Sequence, residues 1–184
     1  MSDEYIKIAG QHPSESIKQN SQISQNAYEF DKQKESGNID RAVCLGKKIA
    51  DKVLNSIDSL PSQELSDSVN MRLKRAVLLM FTAIAMLERQ IPVAVCADTA
   101  KSSFLKEISV KSPEFYAYAN DSGEFSFYFL AFRRKIEVER RIGQTFAMLC
   151  SHDGDPVYQE LGEAIFCWFS SLVCQEVENI GFKN

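Results

Sequence analysis

The stretch that decides the fold is residues 76–87, which read AVLLMFTAIAML. Thr82 is its only polar side chain, and charged residues flank it closely on both sides. A helix that packs on one neighbour carries one apolar stripe, whereas a helix that is apolar all round is surrounded by protein. The stretch is too short to span a bilayer, which requires about twenty residues. It therefore predicts the central helix of a helical bundle.

Length and composition indicate one globular domain. The chain has 184 residues, 45% of them hydrophobic and 25% charged, so it is long enough to bury a core. Glycine and proline number only 8 and 5, and such scarce breakers favour long helices over strands and turns. The net charge of −4 supplies no overall positive field, so neither nucleic acid nor a membrane is predicted as a partner.

Breaks between the apolar repeats divide the chain into an arm and a domain. Residues 1–20 are polar and are predicted to form a flexible N-terminal arm, and 21–184 a single helical domain. Because short links join the helices, they are expected to pack as three antiparallel hairpins around the central helix. The predicted fold class is all-α, a compact bundle of about six helices. These helices are predicted over 21–36, 39–59, 62–90, from 92 onward, over 121–150 and over 155–179, with a short helix over 112–118.

The predicted helix over 121–150 contains one unusual polar pattern. At about 100° per residue, Lys135 and Glu139 fall inside a broad apolar arc, and Gly143 follows one turn later. One interpretation is a pair at the edge of the helix, whose aliphatic stems pack while the charged heads reach water. The other is a small-ligand site between helices, in which Gly143 leaves room for the ligand.

Other patterns that carry chemistry are weak or absent. Residues 133–141 hold five basic and two acidic side chains, which is typical of a solvated helix laced by ion pairs. The two histidines, His12 and His152, have no metal-ligand spacing, so no metal or cofactor is expected. No phosphate-binding glycine loop and no nucleophile motif occurs. A catalytic site that only the fold assembles remains an open alternative.

The last predicted helix offers a candidate interface. Phe166, Cys167 and Cys174 extend apolar surface beyond its predicted inner stripe, and exposed apolar surface of this kind marks interaction sites. These three residues are therefore candidate contacts of a homodimer. The alternative for the two cysteines is that they are half-buried small hydrophobic residues. The predicted inner stripe consists of Val157, Leu161, Ile165, Trp168 and Leu172.

The functional interpretation follows by elimination. Five cysteines form no CxxC pair, and no signal-peptide pattern is present, which favours a cytoplasmic protein with free thiols. The leading interpretation is a non-enzymatic cytoplasmic module that binds a protein partner or, as a homodimer, itself. The alternative is a helical regulator with a small-ligand pocket near Lys135, Glu139 and Gly143. The third is an enzyme without a sequence signature.

Overall fold

The computed structural model describes residues 25–58 and 69–183, and within them the chain forms eight helices and no strand. The all-α prediction is confirmed. The predicted arm over 1–20 and the predicted start of the third helix at Ser62 lie outside the described residues. The helices are α1 (25–35), α2 (Asn38–Asp58), α3 (Val69–Gln90), α4 (Ala94–Lys111), α5 (Pro113–Asp121), α6 (Glu124–Arg133), α7 (Val138–Leu149) and α8 (Pro156–Ile180).

The central element of the bundle is α3, as the sequence predicts. It contacts α2, α4, α6, α7 and α8. Every residue over 76–83 is buried, and this run is longer than two turns, so protein surrounds the helix. Leu79 and Met86 are more deeply buried than Ile84, which lies on the opposite side of the helix. The hydroxyl of Thr82 donates to a carbonyl oxygen one turn earlier at 2.8 Å, so the only polar side chain of the run is satisfied.

Close packing of α2 against α4 depends on Gly46. A Cβ at this position would lie 2.3 Å from the carbonyl oxygen of Ala100 and 2.8 Å from the backbone nitrogen of Phe104. The two backbones therefore approach more closely than any other residue would allow. As a result α2 pairs chiefly with α4, whereas α7 and α8 form a hairpin of sequence neighbours. Because α2 and α4 are not neighbours in sequence, the helices do not all pair as three consecutive hairpins.

The substitution Gly46→Ala tests this contact between α2 and α4. We expect it to lower the free energy of unfolding by about 1–3 kcal/mol or more, because the added methyl group collides with backbone atoms that cannot rotate away. Urea denaturation followed by circular dichroism measures the loss. The matched control is Lys47→Ala on the exposed side of the same helix, for which we expect little change. Equal stability of both variants would contradict the close approach.

The prediction of one long helix over 121–150 is wrong, because the chain breaks it into α6 and α7. At the break, Lys135 and Glu137 have positive φ angles of 56° and 48°. A straight helix over this range would be about 45 Å long at 1.5 Å per residue. The structure instead packs α6 on α3 and directs α7 chiefly along α8. Tertiary packing on two different partners thus overrides a sequence that has no proline or glycine at the break.

The face that α8 turns to the core also differs from the predicted one. The predicted inner stripe is wrong for Val157 and Trp168, which are 68% and 52% exposed. The reason is Gly162, where a Cβ would lie 2.5 Å from the Cβ of Phe146 on α7. This close approach fixes the rotation of α8 about its axis. The side chains that it buries are Phe166, Phe169, Val173, Glu176 and Val177.

Candidate functional site

The structure does not enclose Lys135, Glu139 and Gly143 in one site. Lys135 lies in the break between α6 and α7, Glu139 lies in the first turn of α7, and both side chains are exposed. Within the described residues, no ion pair joins them. Gly143 is buried, but a Cβ there would lie 2.3 Å from the carbonyl oxygen of Gln159 on α8. The backbone of α8 therefore fills the space that the ligand interpretation assigns to a small molecule.

The exposure of Glu139 predicts a small effect of its removal. We expect Glu139→Gln to change the free energy of unfolding by less than about 1 kcal/mol, because an exposed charge in water contributes little to stability. Urea denaturation at neutral pH measures the change. A loss of about 3–5 kcal/mol, as when one member of a buried ion pair is removed, would show instead that this carboxylate lies in an enclosed site.

A buried polar cluster joins α3, α5 and α6. The ammonium group of Lys74 donates to Glu124 Oε1 and, at 3.1 Å, to the hydroxyl oxygen of Tyr118. The Tyr118 hydroxyl in turn donates to Glu124 Oε1 at 3.0 Å. Gly123, with a φ of 71°, turns the chain so that α6 begins with Glu124. The carboxylate thus lies at the positive end of the α6 dipole, where an acidic side chain interacts favourably with the helix.

The surroundings shift the pKa values of Lys74 and of Tyr128, which lies beside the cluster. Burial acts to lower the pKa of Lys74, but the hydrogen bonds to Glu124 and Tyr118 outweigh it and leave the pKa raised. Burial, together with the nearby Cys150 and Glu124, raises the pKa of Tyr128 well above its ordinary value of 10.0. Both groups therefore hold their protons at neutral pH. Neither is prepared to accept one, which general-base catalysis requires.

Two buried polar atoms at the cluster, Glu124 Oε2 and the hydroxyl of Tyr128, have no hydrogen-bond partner among the described residues. They lie one turn apart on α6. Each such atom costs about 1–3 kcal/mol relative to a satisfied one. The cluster was not found from the sequence, because Lys74 and Glu124 are fifty residues apart and no spacing rule connects them. Its geometry suits a polar clamp that holds α5 and α6 on α3.

The three interface candidates on α8 lie in different surroundings. Phe166 is buried, and its ring centroid lies 6.3 Å from that of Phe132 on α6, so it belongs to the core. Cys174 is half-buried and Cys167 is exposed. Burial raises the pKa of the Cys167 thiol, and the charges of Glu139 and Glu163 raise it further. This thiol therefore stays protonated at neutral pH, which disfavours a nucleophilic or redox role.

The outer face of α8 is the surface of that helix opposite its buried side. Residues 164–175 contain no charged side chain, and Trp168 at the centre is 52% exposed. Sequence reasoning assigned this tryptophan to the core. The signal that could have corrected the assignment is Gly162, since a glycine inside a helix usually has a packing reason. The exposed side chains of the outer face are Ala164, Cys167, Trp168, Ser171 and Gln175.

The break between α6 and α7 forms a second unusual surface, which we call the basic turn. It consists of Arg133, Arg134, Lys135 and Ile136, all of them exposed. The Ile136 side chain is 67% exposed. The backbone carbonyl oxygen of Ile136 accepts a hydrogen bond from Arg141 Nε at 3.0 Å, which anchors the turn to α7. The basic turn thus presents an apolar side chain beside three cations.

The described residues were also compared with the requirements of metal and membrane sites. They contain no group of three or more His, Cys, Asp or Glu side chains that could hold a metal ion. None of the helices over 25–58 and 69–183 combines the length and the apolar character needed to cross a membrane. In comparisons with known proteins, no protein-family model, no curated protein and no solved structure matches this chain.

Proposed function

We propose that the protein is a non-enzymatic interaction module that forms a homodimer through the outer face of α8. The observation that carries the proposal is Trp168, a large aromatic side chain held half-exposed near the middle of residues 164–175 of α8, which contain no charged side chain. The centres of protein interfaces are depleted of charge and enriched in aromatic residues. Tryptophan is also among the side chains that most often dominate binding energy.

Two further observations support this function. The polar cluster at Lys74, Tyr118 and Glu124 is occupied by its own ion pair and hydrogen bonds, which suits a structural clamp better than a catalytic site. None of the five cysteines, all of which lie in the described part of the chain, forms a disulfide, which fits a reducing compartment such as the cytoplasm. Among residues 25–58 and 69–183, no element covers the outer face of α8, and in the proposed dimer a second copy of the chain covers it.

The oligomeric state tests the proposal directly. Sedimentation equilibrium at tens of micromolar should give twice the chain mass of 20.8 kDa. We expect Trp168→Glu to raise the dissociation constant of the dimer at least about thirtyfold, because it removes an aromatic anchor worth 2 kcal/mol or more. The control is Val110→Glu on α4, where a 71% exposed apolar side chain is also replaced by a charge. A monomeric parent protein, or equal effects of both variants, would contradict the proposed interface.

A further inference from the structure

We propose that the basic turn of one copy docks on the outer face of α8 in the second copy, beside the carboxylates of Glu160 and Glu163. The inference rests on the self-association proposed above and adds the chemistry of the contact. It makes the homodimer an electrostatic pairing as well as an apolar one. Each copy then contributes both a basic surface and an acidic-apolar surface to the interface.

In the part of the chain that the structure describes, the cations of the basic turn have no carboxylate partner. Within the described residues, no ion pair involves Arg133, Arg134 or Lys135. Surface lysines elsewhere in the molecule do lie in ion pairs with nearby carboxylates. Three positive charges side by side repel one another, and an acidic partner relieves that repulsion. The surface lysines that are paired are Lys48, Lys52, Lys101 and Lys111.

The backbone of the basic turn is strained in a way that projects its apolar residue. Lys135 and Glu137 occupy the left-handed region on either side of Ile136. This conformation is unfavourable for a residue other than glycine, because its Cβ crowds the following carbonyl oxygen. Contacts from α7 hold it in place, since Arg141 Nε donates to the Ile136 carbonyl and Arg140 pairs with Glu137 at 3.4 Å. Strain retained in this way is typical of functional surfaces, and here it holds Ile136 outward.

The outer face of α8 has the complementary character. Its middle is uncharged, and the residues that border it at one end are Glu160, which is exposed, and Glu163, which is half-buried. Ile136 fits an apolar surface around Trp168, while Arg133 and Arg134 fit the carboxylates beside it. In this arrangement positive side chains face negative ones and apolar side chains face apolar ones across the same contact.

Both surfaces lie on the same side of the molecule. Glu139, in the first turn of α7, and Glu163, on α8, both act on the Cys167 thiol, so the start of α7 is close to the outer face. The rings of Phe132 and Phe166 connect the end of α6 to α8 at 6.3 Å. Two adjacent, complementary surfaces allow a closed dimer, since a two-fold axis between them creates two identical contacts.

A polyanion fits the basic turn less well than this acidic protein surface. Glu137 and Glu139 are exposed within the same stretch, and the whole chain carries a net charge of −4. A nucleic acid or an anionic bilayer would meet these carboxylates together with the cations. A folded partner presents its charges at separate positions, so it can match the cations and avoid the glutamates.

Charge reversal with exchange of partners tests the inference. The first variant carries Arg133→Glu and Arg134→Glu, and the second carries Glu160→Arg and Glu163→Arg. Each variant alone places like charges opposite each other, so we expect its dimer dissociation constant to rise at least about tenfold at low salt. An equimolar mixture restores opposite charges at both contacts, so the heterodimer should recover nearly the parent affinity. Sedimentation velocity measures all three samples, and circular dichroism verifies that each variant is folded.

The outcomes separate this inference from the proposed function. The control reverses the exposed Lys32 and Lys34 of α1, which changes the net charge equally and should leave the dimer intact. If Trp168→Glu dissociates the dimer while both charge variants remain dimeric, the interface on α8 stands and the docking of the basic turn is wrong. Weakened variants that do not recover on mixing also overturn it. Binding of the parent chain to phosphatidylserine vesicles or to single-stranded DNA, lost with the arginines while the dimer persists, would assign the basic turn to a polyanion instead.

Discussion

Replacing Phe81 with alanine is expected to lower the free energy of unfolding by about 3–5 kcal/mol. Phe81 is fully buried on α3, and its ring is the hub of an aromatic cluster. The substitution leaves a cavity beside four aromatic rings, each of which loses its contact with Phe81. The ring centroids lie 6.4 Å from Phe125, 5.3 Å from Tyr128, 5.2 Å from Phe129 and 5.9 Å from Phe132.

Chemical denaturation of matched variants checks the enclosure of α3 that this prediction assumes. Leu79→Ala should cost about 2–5 kcal/mol, because Leu79 is 2% exposed. Ile84→Ala, at a half-buried position of the same helix, should cost less than either buried variant. A loss below about 1 kcal/mol at Phe81 or Leu79 would mean that one side of α3 is not covered by protein.

The substitution Glu124→Gln is expected to cost about 3 kcal/mol, since it leaves the Lys74 ammonium group without its counter-charge. The value lies at the lower end of the range for buried pairs because the Lys74 side chain keeps 15% exposure, whereas Glu124 keeps only 4%. Urea denaturation measures the loss. The matched control is Glu139→Gln, the same chemical change at an exposed position, for which we expect less than about 1 kcal/mol.

The double variant Lys74→Met/Glu124→Leu separates an uncompensated charge from a lost attraction. Apolar residues in place of both charges should recover much of the stability lost in Glu124→Gln, since a buried pair contributes little net stability. If the double variant is less stable than Glu124→Gln, the ion pair itself stabilises the fold. In that case the clamp interpretation gains support, and an uncompensated charge on Lys74 does not explain the loss of stability in Glu124→Gln.

Alkaline titration provides a second measurement on the same pair. The pKa of Lys74 in the folded protein is raised above its ordinary value of 10.5, because hydrogen bonds to Glu124 and Tyr118 outweigh burial. Its contribution to stability is therefore fully present below pH 10.5 and lost as the pH rises through the folded pKa. We expect the parent protein to lose stability above pH 10.5 more steeply than the double variant, which lacks this titrating pair.

The sequence by itself determined the fold class and the central helix. Scarce breakers and helical repeats predicted an all-α bundle, and the uninterrupted apolar run over 76–87 predicted the surrounded helix α3. Both predictions rest on the requirement that apolar side chains leave water, which depends on composition and local spacing alone.

Only the tertiary structure decided the rotation of α8, the break after α6 and the polar cluster. The apolar side chains of α8 cover a wide arc, so the sequence permits several rotations, and the contact of Gly162 with Phe146 selects one of them. The break at Lys135 has no sequence signal because its cause is the packing of α6 and α7 on different helices. Lys74 and Glu124 meet only when distant segments pack together. These features depend on which surfaces meet in three dimensions, and local periodicity does not contain that information.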